Sequence, residues 1–208
     1  MSDFDVSQIV PSMRDLSNAI ATRRQSLALV PLVEGDDVAH EVGRLDQLGV
    51  GAIALAEVGE DLRTAARSTL ETPTLSLSPA KTPEDCQRAR FYGADGVCIE
   101  ATDEHAWTTL SQTVRSMRMM PLCIVRSGEA LTQVEAWGAR AVLMHAADAQ
   151  AALKSAASAS RTTVVVVAIA DADGDALRAL QGHVDAAVVP PSLHRAEGFA
   201  SLLAELDS

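Results

Sequence analysis

One short phrase recurs four times along this chain: Gly49-Val50-Gly51-Ala52-Ile53, Gly93-Ala94-Asp95-Gly96-Val97, Gly138-Ala139-Arg140-Ala141-Val142 and, with the first glycine replaced, His183-Val184-Asp185-Ala186-Ala187. The copies start 44, 45 and 45 residues apart. A fixed period of that length marks a repeated supersecondary unit. Glycine ends a helix in the left-handed conformation that other residues resist, and the apolar run after it reads as a buried strand. Each copy is therefore a helix-to-strand joint.

Eight short runs rich in Val, Ile, Leu and Ala read as strands, at 27–33, 52–56, 73–78, 96–100, 121–125, 141–145, 162–169 and 185–189. Amphipathic helical spacing follows each one, at 38–48, 60–70, 83–92, 104–117, 129–137, 148–159, 174–182 and 192–206. Such regular alternation predicts an α/β fold, a single (β/α)8 TIM barrel. An open doubly wound sheet shares the alternation but has no need of eight even units. With 208 residues, a barrel has short loops and no room for large catalytic insertions. Residues 1–26 read as an N-terminal helical extension and 27–208 as the barrel. Helical spacing over 11–24, through Met13, Leu16 and Ile20, suits a plug for the barrel bottom.

The formal net charge of −11 argues against nucleic acid and against an anionic membrane, since both select a basic surface. No apolar run reaches transmembrane length, and the start Met1-Ser2-Asp3-Phe4-Asp5 is acidic where a signal peptide is basic. The expectation is a cytoplasmic protein. Cys86 falls in a predicted helix and Cys98 and Cys123 in predicted strands, without the paired spacing of zinc or redox sites, so buried reduced thiols are expected. His105, beside Asp103 and Glu104, and His194, beside Arg195, do not resemble a ligand set, and neither a metal nor a cofactor is expected. Gly35-Asp36-Asp37 and Asp171-Ala172-Asp173-Gly174-Asp175 share the composition of calcium loops, but helix starts account for both. Trp107 and Trp137 read as packing anchors.

The stretch Ala89-Arg90-Phe91-Tyr92-Gly93-Ala94-Asp95-Gly96-Val97 resembles the Ala-Arg-x-x-Gly-Ala-Asp phrase of the indole-3-glycerol phosphate synthase family. The likeness continues in order through the Gly51-Ala52 joint, Pro73-Thr74-Leu75, Val184-Asp185-Ala186 and Ser192-Leu193, over residues 27–206. It implies a ribulose-phosphate-binding TIM barrel from tryptophan biosynthesis that closes an indole ring with loss of carbon dioxide and water. That chemistry uses a Glu-x-Lys pair on the first strand, a Lys-Asp-Phe phrase ending the third, a glutamate on the fifth and an asparagine on the sixth. Ring closure needs a carbonyl protonated and water expelled, hence the lysine acid and its carboxylate partner. Laid ungapped on this chain, those positions fall on Pro31 and Val33, on Leu77 and Ser78, on Ile124 and at His145. The chain has only two lysines, Lys81 and Lys154, and none on the first strand. The phosphate loops differ as well: the seventh strand ends Val167-Ala168-Ile169-Ala170 where the family ends in Glu-Ser-Gly, and Pro190-Pro191 removes two N–H donors after the eighth strand.

Active sites of such barrels form at the C-terminal ends of the strands. There the sequence offers Glu34, Glu57, Ser78, Glu100, Arg126, His145, Asp171 and Ser192. The candidate catalytic set is Glu34 or Glu100 as base, Glu57 beside them, His145 as proton shuttle and Arg126 as anion clamp. Lys81 and Ser192 are the candidate substrate-binding residues, Lys81 being either a displaced acid or an exposed loop lysine. Strand ends face water, so polar residues there also need no catalytic reason.

The reading is a degenerate member of the synthase family, a pseudoenzyme kept for binding or assembly, with a small molecule at the mouth or a protein partner. Two alternatives stay open: an enzyme of altered lyase or isomerase chemistry on a small ligand, and residual synthase activity.

Overall fold

The computed structural model describes residues 4–207. Residues 1–3, which open the acidic start, and residue 208, the last of the predicted barrel, lie outside the described residues. A 3-10 turn (Val6–Gln8) and the helix α1 (Leu16–Ile20) precede the first strand. Strand and helix then alternate eight times: β1 (Ala28–Pro31), α2 (Val38–Leu48), β2 (Ile53–Leu55), α3 (Glu60–Ser68), β3 (Thr74–Ala80), α4 (Pro83–Phe91), β4 (Gly96–Ile99), α5 (Glu104–Ser116). The second half is β5 (Met120–Val125), α6 (Gly128–Ala136), β6 (Ala141–Ala146), α7 (Ala149–Ala156), β7 (Val164–Ile169), α8 (Gly174–Leu180), β8 (Ala186–Val189), α9 (Pro191–His194) and α10 (Phe199–Leu206).

All paired strands run parallel, in the order β1-β8-β7-β6-β5-β4-β3-β2. The seam between β1 and β2 closes where Leu32 bridges Ala54, with the Gly51 amide donating to the Leu29 carbonyl at 3.0 Å and the Val33 amide to the Ala54 carbonyl at 2.9 Å. The chain is thus the predicted α/β TIM barrel. Because successive strand residues face opposite ways, each strand serves two cores. Val30, Ala54, Leu75, Cys98, Leu122, Leu143, Val166 and Val188, one from each strand, fill the interior. The alternate residues pack under the helices with Leu62, Trp107, Leu131 and Leu177. Trp107 is buried and Trp137 half-buried against this second core. Each fully buried Leu-sized side chain contributes about 1.5–3 kcal/mol.

Seven helices begin with the side chain of Asp15, Asp37, Thr82, Asp103, Ser127, Asp148 or Asp173 accepting a hydrogen bond from the third helical amide. Each such cap contributes about 1 kcal/mol. Asp37 and Asp173 are therefore the helix starts expected of the two aspartate-rich segments.

The joints behave as read, with one shift. Gly49, Gly93 and Gly138 are left-handed, at φ +75°, +106° and +86°, and in the fourth copy the left-handed residue is Gly182 at +80°, one place before His183. Several elements are shorter than their sequence pattern. The helix spacing over 60–70 stops at Ser68, because the Asp46 carboxylate takes the Leu70 and Thr72 amides, each at 3.0 Å. The spacing over 192–206 forms two helices, interrupted by Gly198 at φ +96°. The N-terminal spacing over 11–24 forms only the five residues of α1.

Leu16 and Ile20 of α1 are buried among the interior residues of the barrel. A Cβ on Gly96, the first residue of β4, would collide with the Leu16 side chain. Asp95 and Asp185, third residues of the second and fourth joints, pin this segment from two sides. The Ser12 hydroxyl donates to Asp95 at 2.6 Å and the Arg24 amide to Asp185 at 3.2 Å.

Candidate functional site at the barrel mouth

Short loops build the mouth. Two residues, Lys81 and Thr82, join β3 to α4, and two, Arg126 and Ser127, join β5 to α6. These loops bring Lys81 and Arg126 to either side of Glu100, which follows β4. The Lys81 ammonium lies 3.1 Å from Glu100 Oε2, and Arg126 Nη2 donates to Oε1 at 2.8 Å. Both carboxylate oxygens are thus engaged. Lys81, hydrogen-bonded to the carboxylate, and Arg126 beyond it hold the Glu100 carboxyl below the ordinary glutamate range. The two cations are 67% and 78% exposed, so the clamp is a rim feature that salt weakens. Below this rim, Leu32, Leu77, Ile124 and Ala168 are half-buried and pack onto the interior core.

The other candidates are dispersed. Glu34 is exposed, and it is its backbone carbonyl that accepts a hydrogen bond from Arg195, at 2.7 Å. Glu57 lines a separate cleft of about 300 Å³ with Ser78, Asp85 and Arg88. His145, on β6, is exposed, as is Ser192, within α9. The loop after β8 keeps few donors. Pro190 and Pro191 have none, and the Leu193 amide already donates to the Pro190 carbonyl at 3.1 Å. Among the described residues, no group of three His, Cys, Asp or Glu side chains is arranged to hold a metal ion. No helix among them is long and apolar enough to cross a membrane.

A second polar cluster, which sequence reasoning missed, stands beside the mouth. The buried His194 ring sets Nε2 2.8 Å from the Leu32 carbonyl oxygen, and Nδ1 2.9 Å from Glu41 Oε1 but off the axis of a hydrogen bond. Arg44 donates both to Glu41, at 2.8 Å, and to the His194 carbonyl, at 2.9 Å. Burial pushes the His194 pKa below its ordinary value. The Leu32 carbonyl and Glu41 oppose that shift, while Arg195 and Arg44 reinforce it. The cluster fastens α9 to α2 and to the end of β1. No motif announces it, because its members are 150 residues apart in the chain.

No family model matches the chain, and no curated protein sequence matches it. Its fold is similar to many solved structures. One is described as a 4-hydroxy-2-oxoglutarate aldolase/2-deydro-3-deoxyphosphogluconate aldolase from TTHB1, with TM-score 0.65 and 17% identity over 94% of this chain and 96% of that one. A protein of Aquifex aeolicus VF5 gives TM-score 0.66 and 12% identity over 94% and 98%. The orotidine 5′-phosphate decarboxylase of Pyrococcus horikoshii OT3 gives TM-score 0.66 and 10% identity over 86% and 96%. Identities this low establish the fold and select no one chemistry.

Proposed function

We propose that this protein is a degenerate barrel of the indole-3-glycerol phosphate synthase type, a pseudoenzyme that binds a small ligand or a protein partner without turning it over. The clamp on Glu100 carries this reading. A general base needs a carboxylate free to take a proton, with a pKa raised toward the working pH. Glu100 is held by two cations and shifted the other way. A lysine nucleophile needs its amine free to attack, whereas the Lys81 side chain is paired with Glu100. The apolar side chains of Leu77 and Ile124, rather than polar groups, underlie the rim. Two prolines in the loop after β8 reduce its capacity to cradle a phosphate.

The direct test incubates the purified protein with the carboxyphenylamino-deoxyribulose phosphate that the synthase cyclises and follows indole fluorescence. The expected signal is flat, and turnover sinks the proposal. The convergence of Lys81, Glu100 and Arg126 favours one other reading, an enzyme of altered lyase or isomerase chemistry in which a small carboxylate takes the place of Glu100 between the cations. Turnover of a small oxo acid that disappears in a Lys81→Ala, Arg126→Ala variant would establish that reading over the pseudoenzyme.

A further inference from the structure

The N-terminal segment covers only part of the barrel floor. It is pinned at Asp95, which precedes β4, and at Asp185, which precedes β8. Leu16 fills the floor beside Gly96, and the carbonyl of Ala19 lies next to Gly51. Between the two pins, on the side of β5, β6 and β7, a cleft of about 510 Å³ opens against the segment. That volume suits a small molecule.

The chemistry of this cleft runs against that of the whole chain. Its floor is apolar, formed by the first inward residues Met120 and Val164, and Met13 stands at its edge. Three exposed arginines line it: Arg115 and Arg118 at the end of α5, and Arg140 in the third joint. None of the three has a carboxylate partner among the described residues, and Arg140 donates only to the neighbouring Ala139 carbonyl, at 3.3 Å. Arg14 also borders the cleft but is held in an ion pair with Asp95, and Asp15 is the one acid that lines it, its carboxylate capping α1. A local excess of positive charge in a chain of net charge −11 focuses anions on this spot. The dipole of α5 gives Arg115 and Arg118 a stabilising role at a helix end, but no such role applies to Arg140. Arg118 sits at φ +57°, a left-handed helix-ending position that glycine takes without strain.

We infer that this open part of the floor binds a small organic anion, with a carboxylate or phosphate head on the arginines and an apolar body over Met120 and Val164. The site lies on the face opposite the mouth, so it stands or falls independently of the function proposed there.

The probe is 8-anilinonaphthalene-1-sulfonate, an anion with an apolar body. The folded protein is expected to bind it saturably at one site, and Arg115→Gln with Arg140→Gln to weaken binding at least about tenfold. A circular dichroism melt checks that the variant is folded. Arg118→Asn, which tolerates the left-handed backbone, is expected to act in the same direction and serves if the double variant does not fold. Octanoate or octyl phosphate should displace the probe at concentrations where inorganic phosphate does not. Unchanged affinity in both variants overturns the site. Loss of binding in Arg161→Gln instead, which lines a neighbouring basic cleft with Arg23 and His183, also overturns it. Equal displacement by inorganic phosphate reduces the cleft to a patch of charge and overturns the organic ligand.

Discussion

Arg14 and Asp95 form an ion pair, Nε to Oδ2 at 2.8 Å, that fastens the N-terminal segment to the barrel floor. The Asp95 carboxylate is 1% exposed and also accepts from Ser12, from Arg90 at 3.0 Å and from the Thr74 amide at 2.9 Å. Asp185, in the fourth joint, repeats the arrangement in part, accepting from the Val165 amide at 2.9 Å and the Arg24 amide at 3.2 Å. The same position of the repeat thus holds the strand before it and the segment below it.

Removing one partner of a buried, multiply bonded pair leaves the others uncompensated. Asp95→Asn is expected to lower the stability to urea unfolding by about 3 kcal/mol. Asp185→Asn loses charge-assisted bonds to two amides, without an arginine partner, and should cost less, about 1–2 kcal/mol. The reverse order would contradict the role given to the ion pairs.

The fit of Leu16 against Gly96 gives a coupled pair. Gly96→Ala is expected to destabilise by about 1–3 kcal/mol through overpacking, and Leu16→Ala by about 2–5 kcal/mol through the cavity left behind. In the double variant the added methyl enters the space vacated by leucine, so the losses should sum to less than the singles, by at least about 0.5 kcal/mol. Additive losses in a double-mutant cycle would show that the two residues do not touch.

His194 should make the fold acid-sensitive. Its folded-state pKa is pushed down by burial, with the Leu32 carbonyl and Glu41 resisting. The unfolded chain therefore takes up the proton first as pH falls. The stabilising contribution is whole above the unfolded value of about 6.5 and declines as pH drops from there through the depressed folded value. Between about pH 7.5 and about pH 5.5 the Tm of the wild-type chain is expected to fall more than that of His194→Gln. Parallel slopes would assign the acid limb to other groups.

Burial, aided by Asp85, pushes the Cys86 thiol up to about 12; burial alone takes Cys123 to about 12, and burial with Cys123 nearby raises Cys98. All three are free and buried, as their places in the sequence led one to expect. A thiolate is the reactive form. Dithiobis-nitrobenzoate is therefore expected to label no cysteine of the native protein and all three in guanidinium chloride, the rate following unfolding. Fast labelling under native conditions would contradict the packing of Cys98 and Cys123 within the barrel wall.

The barrel was legible because its signals are local. Apolar runs bounded by turns, capping residues such as Asp37 and Asp173, and left-handed glycines at Gly49, Gly93 and Gly138 act within a few residues of where they stand. Sequence alone therefore determined eight strand-helix pairs and their closure into one sheet. Which strand ends meet is another matter, since it depends on the stagger of the strands, on the side each residue faces and on the length of each loop. Of the seven candidate residues, Lys81, Glu100 and Arg126 converge, while Glu34, Glu57, His145 and Ser192 point to separate surroundings. The same holds at the floor. Asp95, Arg140 and Asp185 share one place in the repeat, yet only the docking of the N-terminal segment makes two of them pins and leaves the third beside an open cleft. Local periodicity sets the elements, but contacts between residues far apart in the chain form only when the sheet closes, and those contacts decide what each residue does.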